Sequence, residues 1–207
     1  MSAGPLSLRP YPIPDGALGF RPDWLSRAEA DELLAGLMDS IRWETHRIRM
    51  FGREVDSPRL SCWIGDPGAS YVYSRTRFEP RPWPAALQAL RPRIDAAAGV
   101  VMNSVLANLY RDGRDAMGWH SDDEPELGSR PVIASLSLGG TRRFAFKHRR
   151  DPAKKFALDL PHGSLLVMSG DTQAHWRHAL PRTARAVAPR LNLTFRRITP
   201  NEPGSFA

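Results

Sequence analysis

Apolar residues recur at helical spacing in two stretches and at alternating or short-run spacing in many more. Ala28, Leu33, Leu34 and Leu37 follow the capping-box pair Ser26 and Glu29, which predicts a helix over 26–39. A second helix is predicted from Pro84, a residue suited to the first helical turn, through Leu87, Leu90 and Ile94 to Gly99. Pro92 inside it predicts a kink or break. From Met102 onward the runs shorten and become β-branched or aromatic in part. Segments 102–110, 131–138, 142–148, 156–160, 163–168, 175–180 and 190–198 read as strands, punctuated by Gly139-Gly140 and Pro161-His162-Gly163. Ahead of all this, Pro5, Pro10, Pro12 and Pro14 favour extended backbone over residues 1–20. Helices first and many short strands after predict an α+β fold. Its core would be a two-sheet β barrel or a jelly roll (double-stranded β-helix), buttressed by N-terminal helices.

The 207 residues predict one domain over 1–207, large enough to fold without staples. A single cysteine, Cys62, excludes an internal disulfide framework and suits a reducing cytoplasm. No apolar run reaches the length of a membrane span, and no basic-then-apolar leader opens the chain. The expectation is a cytoplasmic monomer with no membrane partner. Charge changes the picture more. A formal net charge of +7 raises the weight of a nucleic-acid partner. The stretch from Lys147 to Lys155 reads as an exposed basic hairpin loop.

Candidate chemistry begins at His120-Ser121-Asp122. On a strand, residues two apart point to one side, so this imidazole and carboxylate converge. With one more histidine downstream they make a 2-His-1-carboxylate set, which leaves half of an octahedral iron(II) open. His175 and His178 both offer that third ligand; three apart, they face opposite sides of a strand, and spacing does not choose between them. Asn108 and Tyr110 share the same two-residue relation. Arg190, Asn192, Thr194 and Arg196 alternate with Leu191, Leu193 and Phe195. If the polar face lines a cavity, two buried cations demand anions. A dicarboxylate such as 2-oxoglutarate meets that demand, since an arginine fork holds a carboxylate by two parallel bonds. These residues point to an iron(II)/2-oxoglutarate dioxygenase.

Several separated motifs, in order, resemble the AlkB family of nucleic-acid demethylases across roughly residues 45–198. They are Asn108-Leu109-Tyr110-Arg111-Asp112-Gly113, His120-Ser121-Asp122-Asp123-Glu124, Pro131 to Gly139, His162 to Met168, His175-Trp176-Arg177-His178 and Pro189 to Arg196. Residues 1–44 match loosely. The resemblance implies that His120, Asp122 and His178 hold Fe(II), with His175 outside the set. It implies that Asn108, Tyr110, Arg190 and Arg196, with Asn192 on the same face, bind 2-oxoglutarate. Within the family the chain is most similar to the branch that repairs duplex DNA. Met50-Phe51-Gly52 then matches a hairpin whose Phe51 fills the gap left by a flipped base, and Arg59 follows it. Tyr71 and Tyr73 match base-pocket aromatics. Glu124 matches an acidic residue that would favour a cationic methylated base over a neutral one. The basic loop is shorter than its counterpart in that branch. The implied reaction is oxidative demethylation of bases such as 1-methyladenine and 3-methylcytosine in DNA, releasing formaldehyde, succinate and CO2. Three rival readings stand beside it: an RNA- or tRNA-directed oxygenase of the same family, a non-catalytic nucleic-acid-binding module, and an oxygenase acting on a small molecule or protein.

Overall fold

The computed structural model describes residues 7–50, 53–73 and 76–199; over 46–50, 53–55, 71–73 and 76–78 it describes the backbone alone. The elements run β1 (Arg9–Tyr11), β2 (Ala17–Arg21), α1 (Arg27–Ser40), β3 (Glu44–Met50), β4 (Arg53–Gly65), β5 (Tyr71–Tyr73), β6 (Thr76–Phe78) and α2 (Ala85–Ala98). Then come β7 (Ser104–Tyr110), β8 (Met117–His120), a single 3-10 turn (Pro125–Leu127), β9 (Ile133–Gly139), β10 (Arg142–His148) and β11 (Lys155–Leu160). The chain continues through β12 (Ser164–Ser169), α3 (Thr172–His175), β13 (Trp176–Leu180) and β14 (Arg190–Arg196).

Both predicted helices form, each for the reason its ends announced. At α1 the Ser26 hydroxyl accepts from the Glu29 amide, and the Ser26 amide donates to the Glu29 carboxylate at 2.9 Å. Helix α2 starts after Pro84 and ends at Gly99, whose φ of 73° is the left-handed cap that glycine adopts without strain. The predicted break does not occur: α2 runs from Ala85 to Ala98 with Pro92 inside it. All seven predicted strand segments contain a strand. The 175–180 segment is divided, His175 ending α3 and the strand beginning at Trp176.

The strands form an antiparallel jelly-roll core of two large sheets. Eight strands lie in the order β1-β2-β12-β9-β14-β7-β4-β3, and four in the order β11-β10-β13-β8. One face of the eight-stranded sheet packs Ala107, Leu136, Leu191, Leu193 and Phe195 against Leu37 of α1 and Leu87 and Ile94 of α2. The other face meets the four-stranded sheet, with Ile133, Leu166 and Met168 gathered against Phe144, Phe146 and Leu160. The layers are therefore helices, large sheet, small sheet. Strand β14 lies hydrogen-bonded between β7 and β9, and all seven of its residues are buried. Its apolar members face the helices, so Arg190, Asn192, Thr194 and Arg196 must face the small sheet.

Candidate active site

Two strands of the small sheet bring the histidines together. His178 on β13 and His120 on β8 are direct cross-strand partners, their ring centroids 4.3 Å apart. Asp122 is not on the strand, as the two-residue spacing suggested; β8 ends at His120. Two hydrogen bonds turn the chain inward instead. The Ser121 hydroxyl donates to the Trp176 carbonyl at 2.8 Å, and the Asp122 amide donates to the Gln173 side chain at 3.0 Å. The Asp122 carboxylate then lies 3.5 Å from His178 Nε2. One ligand atom from each of His120, Asp122 and His178 lies within 4.8 Å of the other two.

Protonation suits the set to a metal. His120 Nδ1 lies 2.8 Å from the Gly118 carbonyl, which can only accept, so Nδ1 carries the hydrogen and Nε2 presents its lone pair. Burial, with His178 alongside, pulls His120 down to about 3 and keeps it neutral. Burial alone would raise Asp122, but the Arg196 guanidinium and the two imidazoles outweigh it and hold the carboxyl well below its usual range. Arg196 Nη2 donates to Asp122 Oδ1 at 2.6 Å, and both side chains are about 4% exposed. His175 stands apart, stacked on His148 with centroids 5.8 Å apart. Geometry thus selects His178 where spacing could not.

The facing wall is polar and almost fully buried. Arg190 donates to the Ser137 hydroxyl at 2.8 Å and packs its guanidinium 5.4 Å from the Tyr110 ring centroid. Burial lowers the guanidinium to about 10, and Arg142 nearby adds to the cost while Tyr110 offsets it. Asn192 spends its amide internally, donating to Ser135 Oγ and the Leu136 carbonyl and accepting from Thr194. Asn108 Oδ1 accepts from Arg59 Nε at 2.7 Å. Asn108, Tyr110, Arg190, Asn192 and Arg196, together with His120, Asp122 and His178, all border one cavity between the sheets.

The substrate-side residues fare unevenly. Arg59 is 5% exposed and bonded to Ser57 as well as Asn108, so it sits behind the cavity wall rather than on the surface. Glu124 heads the 3-10 turn two residues after Asp122 and is half-buried. Tyr71 and Tyr73 lie two apart on β5, whose backbone alone is described; Phe51 lies outside the described residues. Sequence reasoning missed Gln173, Ser121, Ser135 and Ser137. The two serines on β9 had a signal, since Ser135-Leu136-Ser137-Leu138 repeats the alternation of β14. Gln173, 51 residues from its partner, had none.

Two imidazoles and one carboxylate on one side suit iron(II), and a buried arginine with no carboxylate partner among the described residues on the other suits a dicarboxylate. The model of the 2OG-Fe(II) oxygenase superfamily matches residues 17–196. This chain belongs to that superfamily. As an oxygenase of that kind it is an Fe(II)- and 2-oxoglutarate-dependent dioxygenase. The oxygenase is 39% identical over 193 residues to human alpha-ketoglutarate-dependent dioxygenase alkB homolog 3, covering 89% of this chain and 67% of that protein. It is 40% identical over 182 residues to human DNA oxidative demethylase ALKBH2, covering 83% and 70%. The solved structure of OsALKBH1 shares the fold, with a TM-score of 0.63 and 19% identity over 92% of this chain and 99% of that one.

Proposed function

We propose that this dioxygenase repairs DNA by removing N-linked methyl groups from bases such as 1-methyladenine and 3-methylcytosine. Arg190 carries the co-substrate half of the reading. It is 2% exposed, its Nε has no hydrogen-bond partner, and no carboxylate pairs with it among the described residues. A buried cation left without an anion is costly, and the distal carboxylate of 2-oxoglutarate supplies one. The nucleic-acid half rests on the likeness to proteins named as a DNA oxidative demethylase and an alkB homolog, and on the basic charge of the chain.

The chain's own residues then divide the work. His120, Asp122 and His178 hold the metal, and Arg196 with Gln173 fixes the direction of the Asp122 carboxylate and backbone. Arg190, with Tyr110 and Ser137, receives the far end of the keto acid, while Arg59 turns Asn108 so that its amide nitrogen is left for a ligand. The apolar walls at Phe144 and Leu180 exclude water. Iron(II) with the keto acid and oxygen supplies the oxidation, in which the methyl leaves as formaldehyde and the keto acid becomes succinate and CO2. Glu124, close to the triad in sequence, is the residue we assign to a cationic lesion.

The test is mass spectrometry of oligonucleotides carrying one 1-methyladenine or 3-methylcytosine, as single-stranded DNA, duplex DNA and RNA. With Fe(II), 2-oxoglutarate and ascorbate, the expected result is loss of one methyl mass from DNA, abolished in Asp122→Ala. Succinate formation with no methyl loss on any strand would remove the assigned substrates.

A further inference from the structure

The outer face of the small sheet carries a row of charge that the site does not use. Alternation along β10 sends Phe144, Phe146 and His148 inward and leaves Arg143, Ala145 and Lys147 on the other face. At one level the charges match, Arg143 standing opposite Asp159 across β10 and β11. Further along they do not. Lys147 stands opposite Lys155 on β11 and, on its other side, opposite Arg177 on β13. Lys155 and Arg177 are exposed. The nearby carboxylates are engaged elsewhere, Asp123 with Arg149 and Asp151 with Lys154, and none of the three forms a salt bridge among the described residues. Like charges directly opposite on paired strands repel, so this level costs the fold stability.

Beside the row lies Trp119, 45% exposed, with the Lys147 ammonium 4.3 Å from its ring centroid. Its place is telling. Trp119 immediately precedes His120 and Arg177 immediately precedes His178, so the row is the reverse side of the strands that hold the two triad histidines. Three cations at strand spacing, about 5 Å each, beside an indole that is 45% exposed combine a backbone track with a stacking platform, the pairing that single-stranded nucleic acid uses. An acidic protein segment would match the charges but leave the indole without a purpose.

We propose that Lys155, Lys147 and Arg177, with Trp119, bind the phosphodiester backbone and an unpaired base of the single strand flanking the base under repair. The inference rests on the nucleic-acid reading above and adds to it a second contact surface, outside the cavity.

Its test is the binding of a long unmodified single-stranded DNA, followed by fluorescence anisotropy against salt concentration. Lys147→Ala/Lys155→Ala/Arg177→Ala should reduce the slope of log affinity on log salt by about 2 and weaken binding roughly ten-fold or more at moderate salt. Trp119→Ala should weaken binding while leaving the slope near that of the parent protein. Lys155→Glu guards against misfolding: it should lower the slope while holding or raising Tm, because it pairs with Lys147. Unchanged slope and affinity in the folded triple variant would overturn the track. So would equal, row-dependent capture of polyglutamate, which would make the surface a general anion site. Because the DNA carries no lesion, the readout is independent of turnover. Row-dependent binding without methyl removal from any lesion would sink the demethylase reading alone; methyl removal with row-independent binding would sink the track alone. On lesion substrates, the long-to-trinucleotide ratio of kcat/KM should fall in the triple variant.

Discussion

Arg190 and Arg196 sit on one strand, 2% and 3% exposed, and differ in what they face. Arg196 meets Asp122 at 2.6 Å, an anion the chain itself supplies. Arg190 meets a serine hydroxyl and an aromatic face, with no carboxylate paired to it among the described residues. Burial is equally severe at both ends of β14, so the difference lies in where the countercharge comes from. Arg196 has its countercharge within the chain. Arg190 has none among the described residues, and on the proposed reading the keto acid brings it.

The comparison yields graded expectations. The largest concerns Arg196→Met in the iron-free protein, which leaves Asp122 buried without its main cation and should cost about 3–5 kcal/mol in denaturant unfolding. A loss under about 1 kcal/mol would mean that the imidazoles suffice and the two arginines are not so different. Next is the co-substrate. Under anaerobic conditions with iron(II), 2-oxoglutarate at a hundredfold its Kd should stabilise the parent protein by about 2.7 kcal/mol and Arg190→Met hardly at all. Smaller again is Arg190→Met without ligand, which should lie within about 1 kcal/mol of the parent or above it, because it removes an uncompensated charge. A large loss there would show that Arg190 belongs to the fold as much as Arg196 does.

The smallest effect is on pH. His120 falls from 6.5 to about 3 in the folded protein. Between those values the unfolded chain takes a proton that the folded chain refuses, so stability declines as pH falls through that window and levels off below it. In iron-free protein, His120→Asn should shrink the stability difference between roughly pH 7 and pH 6 by about 0.7 kcal/mol. An unchanged difference would place the titration on another group.

Much of this was legible in the chain because the signals were local. Ser26 with Glu29 and Pro84 with Gly99 mark helix ends through bonds and torsions that involve neighbours. The alternation of Arg190, Asn192, Thr194 and Arg196 could be read as one polar face, though which way it faced required the helices and the second sheet. What escaped was set by distant contacts. Strand β4 carries Glu54, Asp56, Ser57, Pro58 and Arg59 in its first half, a composition that reads as loop; pairing with β3 there, and with β7 from Leu60 onward, makes it one strand. The Asp122 turn depends on Gln173 and Trp176, which no motif near position 122 announces. The family resemblance implies a substrate contact for Arg59; its partner Asn108 is 49 residues away and places it behind the cavity wall.

Arg142 donates to three backbone carbonyls, those of Asp112, Asp115 and Pro181, with its guanidinium 5.9 Å from the Tyr110 ring centroid. The same two loops are tied again by the Thr183 amide on the Gly113 carbonyl, and a side chain at Gly113 would strike the Thr183 carbonyl at 2.3 Å. The end of the cavity that holds Tyr110 and Arg190 is thus braced by four hydrogen bonds between its loops. On the proposed reading, in which Arg190 receives the far carboxylate, that bracing selects the co-substrate by length: a diacid one carbon longer than 2-oxoglutarate should bind more weakly.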